Sequence, residues 1–156
     1  MGVNATALER RVPAQAGLLL DSTTIIAYLN GGESVSPVAA HIIDYWVKSG
    51  RNTAAISMIT VMEVLVKPMQ LQVGVVAARD FLTRFPNFIQ CEVDMRVAIE
   101  AARLRAQYGF KPPDALIIAT GVVRQVGHLV TNDARWMKKL DELQSGIQVL
   151  NLSEFA

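Results

Sequence analysis

The chain has 156 residues, 51% of them hydrophobic, and carries 15 Lys and Arg against 14 Asp and Glu for a net charge of +1. Its single cysteine excludes an internal disulfide framework and a cysteine-based zinc site. The charge balance lacks the clear basic excess of a duplex binder, and no stretch free of Asp, Glu, Lys and Arg exceeds 11 residues, too short to span a membrane.

The length fits one domain. Residues 1–16 show no helix or strand pattern of useful length and no apolar signal core, so they read as a disordered leader before a single domain over 17–156. Gly17–Leu20 is a short apolar run ending at Asp21. Ser22–Leu29 reads as a helix closed by Asn30, Gly31 and Gly32, and Pro37–Lys48 as a second helix. Ala54–Ile59 is a strand, and Thr60–Gln70 a helix that Pro68 should end or bend. A helix over Gly74–Arg84, a strand over Phe88–Val93 and a helix over Asp94–Tyr108 follow, the last with Val97, Ala101, Leu104 and Tyr108 on one face. Pro113–Gln125 is helical and apolar almost all round. His128–Thr131 reads as a strand, Asp133–Leu140 as a short helix and Ile147–Leu152 as a final strand. Strands alternating with helices imply an α/β fold with a parallel sheet covered on both faces.

Ligands of such sheets bind beyond the carboxyl ends of the strands. Four acids fall near that edge: Asp21 after the first strand, Glu63 in the helix after the second, Asp114 at the start of the apolar helix, and Asp133 after the strand His128–Thr131. Each has a plain alternative. Asp21 and Asp133 can be helix N-caps, Asp114 can be a first-turn acid favoured by the helix dipole, and Thr60 with Glu63 fits a capping box. Asp94 reads only as a cap. As a set the four are harder to explain in this way. Glu63 lies in the apolar run 61–66 and Asp114 in the run 112–118. Buried carboxylates need a partner or a metal, and hard oxygen ligands select cations such as Mg²⁺. His41 and His128 read as structural, and Cys91 as a small buried hydrophobe.

Leu18-Leu19-Leu20-Asp21-Ser22, Ser57-Met58-Ile59-Thr60-Val61-Met62-Glu63-Val64, Pro113-Asp114-Ala115-Leu116-Ile117-Ile118-Ala119-Thr120 and Leu129-Val130-Thr131-Asn132-Asp133 together resemble the motifs of PIN-domain ribonucleases, in particular the small VapC-like toxins. The resemblance runs from about Gly17 to the C-terminus. It implies a three-layer α/β/α sandwich on a central, mainly parallel sheet. It also implies an endoribonuclease in which Asp21, Glu63, Asp114 and Asp133 are the catalytic acids and hold Mg²⁺ or Mn²⁺. Such an ion would activate a water for in-line attack on an RNA phosphodiester. Asn132 and Asp133 stand closer together than in many relatives.

Ser22 matches the hydroxyl position after the first acid, Thr131 the polar position near the metal and Asn132 a position that is often polar, and these three with Arg103 and Arg135 are the candidate substrate contacts. Further candidate cations are Lys48, Arg51, Lys67, Arg96, Arg105, Lys111, Lys138 and Lys139. Trp136 could stack on a base or pack in the core. The implied substrate is single-stranded or looped RNA. The implied partners are a cognate antitoxin and a second copy in a homodimer, with no membrane, in the cytoplasm. The competing readings are a PIN nuclease of RNA processing without an antitoxin, and a non-catalytic RNA-binding or interaction module on the same fold. Setting the four acids aside leaves 10 acids against 15 bases, so the near-neutral total conceals a basic remainder.

Overall fold

Five short strands make one sheet: β1 (Leu18–Leu20), β2 (Ala54–Ser57), β3 (Phe88–Cys91), β4 (His128–Thr131) and β5 (Gln148–Asn151). All neighbours pair parallel, in the order β3-β2-β1-β4-β5. The computed structural model describes residues 2–143 and 146–156. The helices are α1 (Ala5–Arg11), α2 (Ser22–Asn30), α3 (Ser36–Ala40), α4 (Met58–Leu71), α5 (Val75–Arg84), α6 (Met95–Tyr108), α7 (Pro112–Val123) and α8 (Arg135–Leu143). A π-helical stretch, His41–Val47, continues α3, so the helix expected over Pro37–Lys48 is formed in two geometries.

Successive strand residues face opposite sides of a sheet, and the core divides accordingly. Leu18, Leu20, Ile56 and Val130 pack with Ile25, Ile42, Trp46 and Val64 on one face. Leu19, Ala55, Leu129 and Val149 pack with Leu104, Ile117, Ile118 and Trp136 on the other. The result is the expected α/β/α arrangement. Gly121 lets α7 lie close on the sheet, since a Cβ there would stand 3.0 Å from Leu19 Cδ2. Among the described residues no helix is long and apolar enough to cross a membrane.

The expectation of a disordered leader fails over α1. Leu8 and Val12 are fully buried in the first core. Glu9 accepts a hydrogen bond from Trp46 Nε1 at 2.6 Å and pairs with Arg51 at 3.0 Å and His41 at 3.3 Å. Arg11 pairs with Glu154 at 3.2 Å. The sequence concealed this helix because Leu8 is its one buried residue, and its polar ties reach residues distant in the chain.

The second motif also differs in register. The helix there begins at Met58, capped by the Ser57 hydroxyl, which accepts from the Ile59 amide at 3.2 Å. Thr60 is therefore inside the helix, its hydroxyl is buried without a partner, and no Thr60–Glu63 capping box forms. Pro68 does not stop α4, which runs to Leu71.

Candidate active site

The order of the sheet reverses at β1 and β4, where chain connections leave in opposite directions and a crevice opens beyond the strand ends. Asp21 follows β1 at this point and is 3% exposed. Its backbone is extended, at φ −88° and ψ 175°, and its Oδ1 caps α2 by accepting from the Thr24 amide at 3.0 Å. The Thr23 hydroxyl donates to the same oxygen at 2.7 Å, and the Thr131 hydroxyl at the end of β4 donates to Oδ2. The cap reading for Asp21 is thus correct but incomplete. Burial pushes its carboxyl above the usual carboxylate range, against the pull of the Thr131, Thr23 and Thr24 donors.

Glu63 lies half-buried on α4. Burial raises its carboxyl first. The Ser22 side chain hydrogen-bonds it and opposes that rise, while the charges of Asp114 and Asp21 add to it. Asp114 is in the first turn of α7 and also half-buried. Burial pushes it up. Arg135 pulls it down, Asp133 repels it, and Lys139 and Lys111 pull it down further. The four acids therefore form a row in which each feels the next. Among the described residues, none of Asp21, Glu63 and Asp114 has a Lys or Arg nitrogen within 4 Å.

Asp133 is different. Arg135 holds it through Nε at 3.0 and 3.1 Å and Nη2 at 2.6 Å, and its Oδ1 also accepts from the Arg135 amide at 3.0 Å. That guanidinium holds the Asp133 carboxyl below its ordinary range.

Several sequence candidates take other positions. Asn132 turns its side chain to Ser153, whose hydroxyl donates to Oδ1 at 2.8 Å. Arg103 is taken up along its own helix by Glu100, through Nε at 3.0 Å, and Gln107 at 2.8 Å. Arg51 belongs to the α1 anchor, and Lys48 precedes β2 at the amino end of the sheet, opposite the acids. Trp136 is 5% exposed within the second core, which excludes base stacking. Cys91 is buried, and Asp94 caps α6 through the Val97 amide at 3.0 Å, both as expected.

Thr23 was missed from the sequence. Besides donating to Asp21, its hydroxyl accepts from the Asn132 amide at 2.9 Å and so ties the first motif to the fourth. The run of hydroxyls Ser22-Thr23-Thr24 directly after the first acid was the available signal.

Among the described residues no three Asp, Glu, His or Cys side chains converge tightly enough to hold an ion between them alone. The donor set nonetheless suits a hard, partly hydrated cation. It is made of carboxylate oxygens, three of them lacking a close cationic partner, and Mg²⁺ needs only one or two carboxylates beside its waters.

The PIN domain family model matches residues 18–143. A toxin-antitoxin complex from Klebsiella pneumoniae contains a chain 25% identical to this one, with 86% of this chain and 97% of that chain covered at a TM-score of 0.64. FitAcB from Neisseria gonorrhoeae has the same fold at 19% identity, 88% and 99% coverage and a TM-score of 0.68. So does VapC20 from Mycobacterium tuberculosis, described as a sarcin-ricin loop cleaving toxin, at 14% identity, 75% and 90% coverage and a TM-score of 0.62. No curated protein matches the chain in sequence.

Proposed function

This chain belongs to the PIN-domain family, and from that premise we propose that it is a metal-dependent endoribonuclease of the VapC-like toxin type. The observation that carries the proposal is Asp21: a carboxyl 3% exposed, at the switch point of the sheet, with hydroxyl and amide donors but no cation. A silent binding module would bear that desolvation cost without return. The non-catalytic alternative is therefore disfavoured.

In this reading Asp21, Glu63 and Asp114 hold the ion, Mg²⁺ or Mn²⁺, and Asp133 contributes from the exposed end. The ion supplies neutralisation of the charge developing on the phosphodiester and lowers the pKa of a water. The chain's own residues orient its ligands. Thr131, Thr23 and the Thr24 amide fix the plane of the Asp21 carboxylate, and the Ser22 side chain favours the charged form of Glu63. Ser22 and Thr131 act on the acids and not directly on substrate. Outer groups of this kind typically matter 10–100-fold, roughly, for metal affinity or activity.

An antitoxin partner is supported by the likeness to the Klebsiella pneumoniae complex. It is also supported by a groove of about 460 Å³ that starts at Glu63 and is lined by Leu29, Val64, Pro68, Leu71 and Val73. An amphipathic helix could lay its apolar face there. Met95 and Ile99, one turn apart and exposed on α6, support a homodimer.

The test is cleavage of single-stranded RNA by purified protein with Mg²⁺ or Mn²⁺, with EDTA, and with Asp21→Asn. The expected result is cleavage with metal only, lost in the variant. A folded Asp21→Asn protein that cuts as well as wild type overturns the reading.

A further inference from the structure

We propose that Lys111 and Lys139, aligned with Arg135, form a phosphate-gripping lip on one side of the acid row that holds the backbone of single-stranded RNA beside the bond to be cut. This rests on the nuclease reading above and adds to it the residues that hold the strand.

Lys111 is the N-cap residue of α7, three positions before Asp114. Its backbone is extended and its carbonyl accepts from the Ala115 amide at 2.9 Å, but its side chain makes no capping bond. Helix N-termini often bind phosphate through free amides. Here the first two helical residues are Pro112 and Pro113, which have no N–H. Two of this terminus's free amides are therefore missing, and the lysine adds the positive charge they would have supplied.

Lys139 is placed beside it by a separate contact. Its Nζ lies 5.0 Å from the centroid of the Phe110 ring, the residue next to Lys111. Phe110 is itself immobilised: its ring is buried, and its carbonyl accepts from Arg105 Nε at 3.3 Å. Arg135 is one helical turn before Lys139 on α8, so the two share a face. Among the residues whose side chains are described, a set that leaves out 141–145, neither Lys111 nor Lys139 has a carboxylate within 4 Å. All three cations are near enough to Asp114 to pull its carboxyl down.

Two such cations beside a row of acids offset the charge of a polyanion that reaches across to the acids. The opposite side of the row is the apolar groove along α4 and α5, where Lys67 is the only lining cation among the described residues. The rings of Phe110 and Trp136 are buried, and Tyr108, 6.4 Å from Phe110 between ring centroids, is half-buried. Lysine contacts to phosphates carry no base identity.

The test is fluorescence anisotropy of a labelled single-stranded oligoribonucleotide with the full chain in EDTA, repeated across a salt series. For single strands the slope of log K against log salt is about −0.7 for each phosphate neutralised, so Lys111→Gln with Lys139→Gln should flatten it by about 1.4 and weaken low-salt binding by about tenfold. Lys48→Gln, at the far end of the sheet, should change neither. Lys111→Arg with Lys139→Arg should keep the wild-type slope, which separates charge from packing. An unchanged slope in the glutamine double variant, with wild-type RNA binding intact, overturns the lip and leaves the nuclease reading standing. Wild-type protein that neither binds nor cuts RNA overturns both. A loss confined to a poly-glutamate probe would assign these lysines to an acidic protein instead, and would overturn the proposal.

Discussion

Asp21 and Asp133 occupy similar places in the chain, Asp21 directly after β1 and Asp133 one residue further beyond β4, and each accepts a backbone amide of the following turn. Their surroundings are opposite. Asp21 is buried with only neutral donors, and its carboxyl is pushed up. Asp133 is partly exposed, is clasped by Arg135, and its carboxyl is held down. The difference shows that a cap position does not decide whether an acid is structural or chemical. That is decided by burial and by whether the fold supplies a cation.

The largest expected break between the two ends is in catalysis. Losing one charge-stabilising group at a reacting centre costs on the order of 10²–10³ in rate, so Asp21→Asn should lose about that much in single-turnover cleavage with Mn²⁺. Asp133→Asn, already neutralised in place by Arg135, should lose about tenfold, within the range for outer groups. Equal losses would erase the distinction.

Metal-linked stability comes next. An ion at 100 times its Kd stabilises by about 2.7 kcal/mol, and thermal melting with and without Mn²⁺ should show that shift in wild type. Asp21→Asn should abolish it and Asp133→Asn should keep most of it. A full shift in Asp21→Asn would remove Asp21 from the ligand set.

Thr131→Val sharpens the comparison from the side of the donors. It deletes the hydroxyl that donates to Asp21 and accepts from the Asp133 amide at 2.9 Å. A hydrogen bond to a charged group is worth about 1.5–3 kcal/mol, so denaturant unfolding should show a loss near 2 kcal/mol. A change no larger than that of a surface substitution would mean that Thr131 does not hold Asp21.

The smallest effect is the pH dependence in EDTA. The folded-state pKa values of Asp21, Glu63 and Asp114 lie above their unfolded values. Between the two values the folded protein binds more protons than the unfolded chain, so their contribution falls as pH rises through the folded values. Asp133 has the opposite sign: its contribution is present above the unfolded value and is lost as pH falls through the depressed one. Solvent screening at Asp133 keeps its share small. Metal-free wild type should therefore melt higher as pH drops from neutrality toward the ordinary carboxylate range. Asp21→Asn should flatten that trend, and a steeper trend in the variant would contradict the assignment.

Much of the fold was legible because its signals are local. The apolar run Leu18–Leu20, the amphipathic spacing of α6 and the strand His128–Thr131 depend on neighbouring residues alone. The order of the four acids along the chain was equally plain. Helix α1 was not legible, since Glu9 finds Trp46, Arg51 and His41 across more than thirty positions. Nor was the start of α4 at Met58, because Ser57 and Thr60 both offer a cap and the helix uses Ser57. Arg103 and Trp136 were candidates by type, and an intrahelical carboxylate and a core site claimed them.

By itself the sequence determined the alternation of strands and helices, hence a parallel two-faced sheet, and the placing of Asp21 and Asp133 just beyond strands, because strand period and capping chemistry are set within a few residues. Only the tertiary structure decided which acid has a counter-ion, which hydroxyls aim each carboxylate, and that one side of the row is basic while the other is apolar. Those properties depend on distances between segments far apart in the chain, and burial and charge pairing act through distance.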